Sequence, residues 1–214
     1  MNQTAKDSMV AWLRHVGLRR QRPPAWCVVR CPIAMLLCAA ALAGATLQVD
    51  SAKSVVTVHV HKAGVLSGVA GHDHEIVGPI ASGTVDTSAR TVEIRVNAGA
   101  LKVVDSSGSE KGREEIQETM VGPAVLDSRR YSEITFRSKS AEVLGENAWR
   151  VKGDLTLHGE TRPVEVEVRE AGGHYRGTVR LRQTEFGIQP VKVAGGTVRV
   201  KDEIGIDFDI QLSR

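Results

Sequence analysis

Apolar and polar residues alternate with a period of two through most of the chain that follows residue 45. Val164, Val166 and Val168 alternate with charged residues, and residues 204–212 (IGIDFDIQL) place an apolar side chain at every second position. This period puts all apolar side chains of a strand on one face and all polar ones on the other. Strands of this kind are typical of antiparallel sheets with one solvated side and one buried side.

The alternating segments predict a series of strands and one short helix. Residues 110–121 have a helical composition, with Ser109 as a plausible N-cap and Gly122-Pro123 at the end. A single domain of such strands must either pack two sheets together or close one sheet on itself. The strands are predicted at residues 54–61, 65–71, 80–86, 91–97, 132–138, 149–158, 164–170, 174–183 and 203–212.

The first 45 residues have the composition of a secretory signal peptide. Arginines between Arg14 and Arg30 form a basic region, residues 33–43 are almost wholly apolar, and Ala43-Gly44-Ala45 is a small-x-small cleavage site. The apolar run is shorter than the roughly 20 residues that a membrane-spanning helix needs. We therefore expect residues 1–45 to be removed, which leaves a periplasmic or secreted domain of residues 46–214. An uncleaved anchor is the alternative.

Charge and cysteine content separate the same two parts of the chain. The first 45 residues carry a net charge of +5 and the remainder −2, which together give the +3 of the whole chain. The mature part therefore has no basic excess that would favour nucleic acid or an anionic membrane surface, and we expect no stable membrane span in it. Cys27, Cys31 and Cys38 all precede residue 46, so disulfides and thiol chemistry are not expected in the mature chain.

Three phrases in the second half of the chain closely resemble the YceI-like family, which is also described as polyisoprenoid-binding and lipocalin-like. They are residues 131–138 (YSEITFRS), 153–164 (GDLTLHGETRPV) and 182–188 (RQTEFGI). The resemblance extends over residues 49–212. It implies an all-β fold, an antiparallel lipocalin-like β-barrel of about eight strands with one short helix, exported and holding an isoprenoid or similar amphiphile in its apolar interior.

The resemblance implies a binding protein and not an enzyme, with no cofactor required and a bound lipid as ligand. The sequence has no phosphate loop, nucleophile elbow or paired-cysteine motif. We expect a monomer or a homodimer whose partner is a small amphiphilic ligand and not a nucleic acid.

The residues expected to line the barrel are mostly aliphatic, and rings that could plug it are few. A lining of short aliphatic side chains favours a hollow interior, although a filled core is the alternative that every small barrel also allows. The predicted lining comprises Val92, Ile94, Val96, Ile134, Phe136, Leu155, Leu157, Val164, Val166, Phe186, Ile188, Ile206, Phe208 and Ile210.

Two kinds of polar side chain are candidates for ligand or metal contacts. Arg162 and Arg182 lie near predicted strand ends, where a guanidinium could donate two parallel hydrogen bonds to a charged head group. Four histidines (His59, His61, His72 and His74) lie within sixteen residues of one another. Imidazoles two apart on a strand can ligate one Zn²⁺, so a metal-binding protein or metal-dependent hydrolase is the alternative function. Solvent-exposed histidines are the plainer interpretation.

Overall fold

The computed structural model describes residues 46–63, 73–104, 109–193 and 198–213. The predicted signal peptide and the predicted strand at residues 65–71 lie outside these ranges. The strands are β1 (Thr46–Gln48), β2 (Val55–Ala63), β3 (His74–Asp86), β4 (Thr91–Asn97), β5 (Lys102–Val103), β6 (Glu133–Gly145), β7 (Ala148–Leu157), β8 (Glu160–Ala171), β9 (His174–Arg182), β10 (Lys192–Val193) and β11 (Val198–Gln211). Helix α1 spans Glu110–Val121, and short 3₁₀ turns span Ala98–Ala100 and Gln183–Phe186.

Eight strands close into an antiparallel barrel in the order β3-β2-β11-β9-β8-β7-β6-β4, and β4 pairs back onto β3. The two short strands β1 and β5 also pair with β3. Val49, which follows β1, forms an antiparallel bridge with Leu212 at the end of β11. The segment that begins with β1 therefore lies between β3 and β11, as β2 does. The prediction of an all-β antiparallel barrel with one helix is confirmed.

Tight hairpin turns fix the register of the strands that follow α1. His158 and Gly159 connect β7 to β8 with φ values of 52° and 78°, and Gly172 and Gly173 connect β8 to β9 with φ values of 63° and 85°. Two successive residues with positive φ form the turn type whose twist matches that of the flanking strands. Leu157 therefore pairs with Glu160, and Ala171 with His174.

Strand β3 is longer than the sequence predicts, because it begins at His74 and not at residue 80. Gly78 and Pro79 are typical of a strand break. In the barrel, β5 pairs with β3 at Ile76 and Val77, and β4 begins to pair at Ile80. Pro79 lies in the gap between these two partners. No described strand pairs with it on that edge, so the N–H group that proline lacks is not needed there. Among the described residues, β2 pairs with β3 on one side and with β11 on the other.

One end of the barrel is closed by α1, the 183–186 turn and a cluster of buried side chains. Ser109 caps α1 by accepting a hydrogen bond from the Gly112 N–H, as the sequence predicts. The Gln117 side chain accepts from the Val103 N–H and donates to the Leu101 carbonyl, which fastens the helix to β5. The core at this end comprises Ile76, Ile80, Val96, Leu101, Met120, Leu126, Leu157, Leu181, Phe186, Ile188 and Ile204. Within the described ranges, no helix has the length and apolar composition needed to cross a membrane.

Candidate functional site

The barrel encloses an apolar cavity of about 470 Å³. Val58, Ile206 and Ile210 line it from β2 and β11. They pack against the core but are only partly buried, because part of each side chain faces open space. A filled barrel would bury these inward positions as completely as it buries Ile80 at the closed end. The interior of the barrel is therefore hollow over much of its length.

Most of the predicted lining residues border this cavity. Sequence analysis missed several others, although the same period of two also places Val56, Val58 and Val60 inward. The predicted residues at the cavity are Val92, Ile94, Val96, Ile134, Phe136, Leu155, Leu157, Val164, Val166, Ile188, Ile206, Phe208 and Ile210. The additional ones include Val56, Val58, Val60, Val85, Trp149, Val151, Val168, Tyr175, Val179 and Gln183.

Phe186 does not line the cavity, and its side chain is 0% exposed. It belongs to the 3₁₀ turn that follows β9, where the alternation of the strand no longer determines side-chain direction. Phe186 is part of the core that closes the barrel. Its inclusion among the residues lining the cavity was wrong.

Two phenylalanine rings inside the barrel lie against glycines of neighbouring strands. A Cβ atom at Gly153 would lie 2.7 Å from ring carbons of Phe136, and one at Gly177 would lie 2.6 Å from a ring carbon of Phe208. Both rings therefore occupy space that a side chain on the next strand would otherwise fill. This arrangement keeps the Phe136 and Phe208 rings at the wall of the barrel.

The open end of the cavity has a polar and aromatic rim. Asp86, Thr87 and Arg90 belong to the β3–β4 hairpin and border the cavity there. The Asp86 carboxylate accepts hydrogen bonds from the N–H groups of Ser88 and Ala89, at 2.9 and 2.7 Å, which fixes the loop. Across the mouth, the rings of Trp149 and Tyr175 lie 6.2 Å apart.

Arg90 is the only basic residue among the described side chains that line the cavity. Its backbone has a φ of 54°, a left-handed conformation that is uncommon for residues other than glycine. The side chain is exposed and forms no ion pair with another described residue. Its position in a hairpin loop gave no periodic signal from which its place at the mouth could be predicted.

The two predicted head-group residues lie at the opposite end from Arg90. Arg162 follows the β7–β8 turn, pairs with Glu160 at 3.0 Å and donates to the Thr161 carbonyl. Arg182 ends β9 beside the 183–186 turn. Both side chains are exposed and neither borders the cavity. The proposed contact of these two residues with a head group remains a prediction.

Two histidines of the candidate cluster, His59 and His61, form pairs with carboxylates on the outer surface. His59 Nε2 donates to Asp207 at 2.9 Å, and His61 Nδ1 donates to Asp73 at 3.0 Å. The His61 hydrogen bond, helped by the Lys62 N–H, lowers the pKa of Asp73 from its usual value. His72 lies outside the described residues.

Within the described residues, no three His, Cys, Asp or Glu side chains converge to hold a metal ion. His74 lies at the start of β3 and belongs to no such group. The alternative of a metal site is therefore not supported by the part of the chain that the structure describes.

The fold and cavity together define a small antiparallel barrel with one closed end, one open mouth and an apolar interior. Residues 47–212 match the YceI-like domain, and the chain belongs to the YceI-like family. The family predicted from the three phrases is confirmed.

Similar proteins agree with this assignment. A UPF0312 protein of Vibrio cholerae serotype O1 is 27% identical over 151 residues, which cover 66% of this chain and 74% of the relative. A UPF0312 protein of Shewanella putrefaciens is 27% identical over 161 residues, covering 71% and 80%. The crystal structure of Burkholderia cenocepacia BcnA has a similar fold, with a TM-score of 0.56 at 19% identity, covering 78% of this chain and 99% of that protein.

Proposed function

We propose that the protein is an exported carrier that holds an isoprenoid or other amphiphilic lipid in the barrel, with the head group at the mouth. The observation that carries the proposal is the open apolar cavity of about 470 Å³. This volume lies within the range of small-molecule sites. Each methylene group that leaves water for such a cavity contributes about 0.8 kcal/mol, so an apolar chain binds without further chemistry.

The polar groups at the cavity favour binding over catalysis. Catalysis by acid and base requires titratable groups that converge in a cleft. The described lining is almost wholly apolar, and its charged members, Asp86 and Arg90, lie in one hairpin at the mouth. Arg90 is suited to a charged head group because a guanidinium donates several hydrogen bonds in a fixed plane.

Native mass spectrometry of the protein purified from cells, without a histidine tag, tests the carrier function. We expect a stoichiometric lipid that organic solvent extracts and that tandem mass spectrometry identifies. Protein that carries no lipid and, after delipidation, fails to bind cis-parinaric acid would contradict the proposal.

A matched pair of substitutions tests whether the cavity is the binding site. Ile206 lines the cavity opposite Val179, whereas Arg180 is exposed on the outer face of the same strand as Val179. We expect Ile206→Trp to weaken binding of cis-parinaric acid about tenfold or more by filling the cavity. Arg180→Trp adds the same ring outside and should bind as the wild type does. Circular dichroism would verify that both variants are folded.

Export is a separate part of the proposal and requires its own measurement. It is supported by the basic and apolar segments before the Ala43-Gly44-Ala45 sequence. Cell fractionation should recover the protein outside the cytoplasm, and N-terminal sequencing should begin at Thr46. A cytoplasmic protein that retains Met1 would contradict export without affecting the lipid-binding proposal.

A further inference from the structure

Gln183 is a buried polar residue at the closed end of the cavity. It is 8% exposed and borders the apolar space. Val179 and Leu181 precede it at a spacing of two along β9, and Val179 also lines the cavity. The side chain of Gln183 therefore continues the inner face of the barrel into the 183–186 turn.

Hydrogen bonding assigns the two ends of the Gln183 amide. Nε2 lies 2.8 Å from the carbonyl oxygen of Lys201, which can only accept a hydrogen bond, so the amide nitrogen donates there. Oε1 has no donor among the described residues. No described side-chain nitrogen or oxygen is both fully enclosed and unpaired, so Oε1 retains accessible surface, and the space that Gln183 borders is the cavity.

The other buried polar side chain in the described residues differs from Gln183. Ser54 Oγ donates to the Gln211 carbonyl and accepts from the Gln211 N–H, so its hydrogen-bonding capacity is used within the fold. Gln183 uses only its donor in this way, to hold the irregular segment of β11 between Val200 and Ile204. A structural role explains the nitrogen of the amide but leaves its oxygen unused.

An apolar chain that fills the cavity would remove water from Oε1 without replacing its hydrogen bond. An unsatisfied buried acceptor costs about 1–3 kcal/mol. Sites that hold such groups discriminate strongly against ligands that lack the complementary group. We propose that the natural ligand carries a hydrogen-bond donor, a hydroxyl or an N–H group, at the end of its apolar chain that reaches Gln183. This inference rests on the proposed lipid-binding function and specifies the class of lipid.

Matched fatty acids test the inference on the delipidated full chain. Hexadecanoic acid, 16-hydroxyhexadecanoic acid and 16-methoxyhexadecanoic acid differ only at the end that would meet Gln183, and the corresponding 12-carbon series varies the reach. Calorimetric titration should show the hydroxy acid binding about tenfold more tightly than both other acids in at least one series. The methoxy acid accepts hydrogen bonds but cannot donate one, so it separates a donor requirement from polarity alone.

Two variants attribute the preference to Gln183. Gln183→Met preserves the approximate size and removes the acceptor, and we expect it to bind the hydroxy acid about tenfold more weakly than hexadecanoic acid. Gln189→Met makes the same substitution at an exposed glutamine outside the cavity and should retain the preference of the wild type. The comparison of the three acids on the wild type remains decisive if Gln183→Met does not fold.

The outcomes separate this inference from the proposed function. If the acids bind with no preference for the hydroxyl group, or if Gln183→Met retains that preference, the inference is overturned and the carrier function stands. If none of the acids binds to the wild type, the inference is overturned, and the carrier function is decided by the lipid extracted from the purified protein and by the binding of cis-parinaric acid.

Discussion

Phe208 lies directly opposite Gly177 in the β11–β9 pairing, and its ring occupies the space above that glycine. A Cβ atom at residue 177 would lie 2.6 Å from a ring carbon of Phe208 and 2.5 Å from the backbone oxygen of Glu167. Both distances are shorter than ordinary contacts allow. The absence of a side chain at residue 177 therefore permits the ring to lie against the wall. The bulk of Phe208 and the openness of the cavity are compatible because of this one glycine.

Gly177→Ala should displace the Phe208 ring towards the barrel axis. We expect a loss of about 1–3 kcal/mol in the free energy of unfolding, as for other overpacked positions, together with weaker binding of cis-parinaric acid. Urea denaturation and fluorescence titration measure the two effects.

Gly205→Ala is the control for this substitution. A Cβ atom there would meet only the His59 Cβ at 3.9 Å, an ordinary contact. A change within about 0.5 kcal/mol is expected at such a position. Equal effects of the two substitutions on stability and on ligand binding would show that the position of the Phe208 ring does not depend on the absence of a side chain at Gly177.

Arg90 should contribute to affinity only for ligands with an anionic head group. Arg90→Gln should weaken binding of hexadecanoate by about twofold to fivefold, the range of exposed ion pairs, and leave hexadecanol unaffected. The difference should shrink at high ionic strength because salt screens an exposed pair. Titration of both ligands at low and high salt measures these effects.

Arg162→Gln and Arg182→Gln are the matched controls for Arg90, because they remove the same charge at the opposite end of the barrel. If the head group lies at the mouth, as proposed, neither substitution alters the binding of hexadecanoate, whereas a loss at either would support the head-group contact predicted for these two residues from the sequence. A loss at either control with none at Arg90 would place the head group at the closed end and contradict the orientation proposed for the ligand.

The strand faces could be predicted from sequence because every wall strand of the barrel has one side in water. Ile206, Phe208 and Ile210 alternate with polar residues along β11, and the structure places all three at the cavity. The same rule holds for Val164 and Val166 on β8. The N-cap at Ser109 was also predictable, since it depends only on residues within one turn of the helix.

Features that depend on distant parts of the chain could not be predicted in this way. Proline is unusual within a strand, and only the gap between β4 and β5 makes Pro79 acceptable in β3. The places of Phe186 and Arg90 follow from a 3₁₀ turn and a hairpin loop, neither of which has a period of two. The acceptor of Gln183 becomes notable only once its partner in β11 is known.

His158 should stabilise the fold by joining the β7–β8 turn to the closed end. Its Nδ1 donates to the carbonyl of Phe186 at 3.1 Å, and its ring meets that of Tyr131 edge-on at 4.7 Å. His158→Ala removes both contacts, and we expect a loss of about 1–3 kcal/mol in the free energy of unfolding. His158→Asn should lose less, because asparagine tolerates the φ of 52° at this position.

Thermal and urea unfolding compare the two His158 variants with the wild type. Zinc titration on the same samples should leave the unfolding curves unchanged. A stability equal to that of the wild type in His158→Ala would contradict the role of this histidine in joining the two segments.

The pair formed by Asp207 and His59 should make stability depend on pH in the acidic range. Hydrogen bonds from the Thr178 hydroxyl and then from His59 lower the pKa of Asp207 below its usual value of 3.8. A carboxylate whose pKa is lowered on folding stabilises the fold above its unfolded pKa, and this contribution is lost as the pH falls through the folded value. The loss is therefore expected below about pH 4 and should stay under about 1 kcal/mol, because the side chain is half exposed.

Urea denaturation at a series of acidic pH values compares the wild type with Asp207→Asn and Thr178→Val. Asp207→Asn cannot titrate at this position, so its stability should fall less steeply below pH 4 than that of the wild type. Thr178→Val removes the largest cause of the lowered pKa and should have an intermediate slope, whereas adding it to Asp207→Asn should change the slope no further. Parallel curves for all four proteins would mean that Asp207 titrates alike in the folded and unfolded chains. The hydrogen bonds of Asp207 with Thr178 and His59 would then make no contribution to the pH dependence of stability.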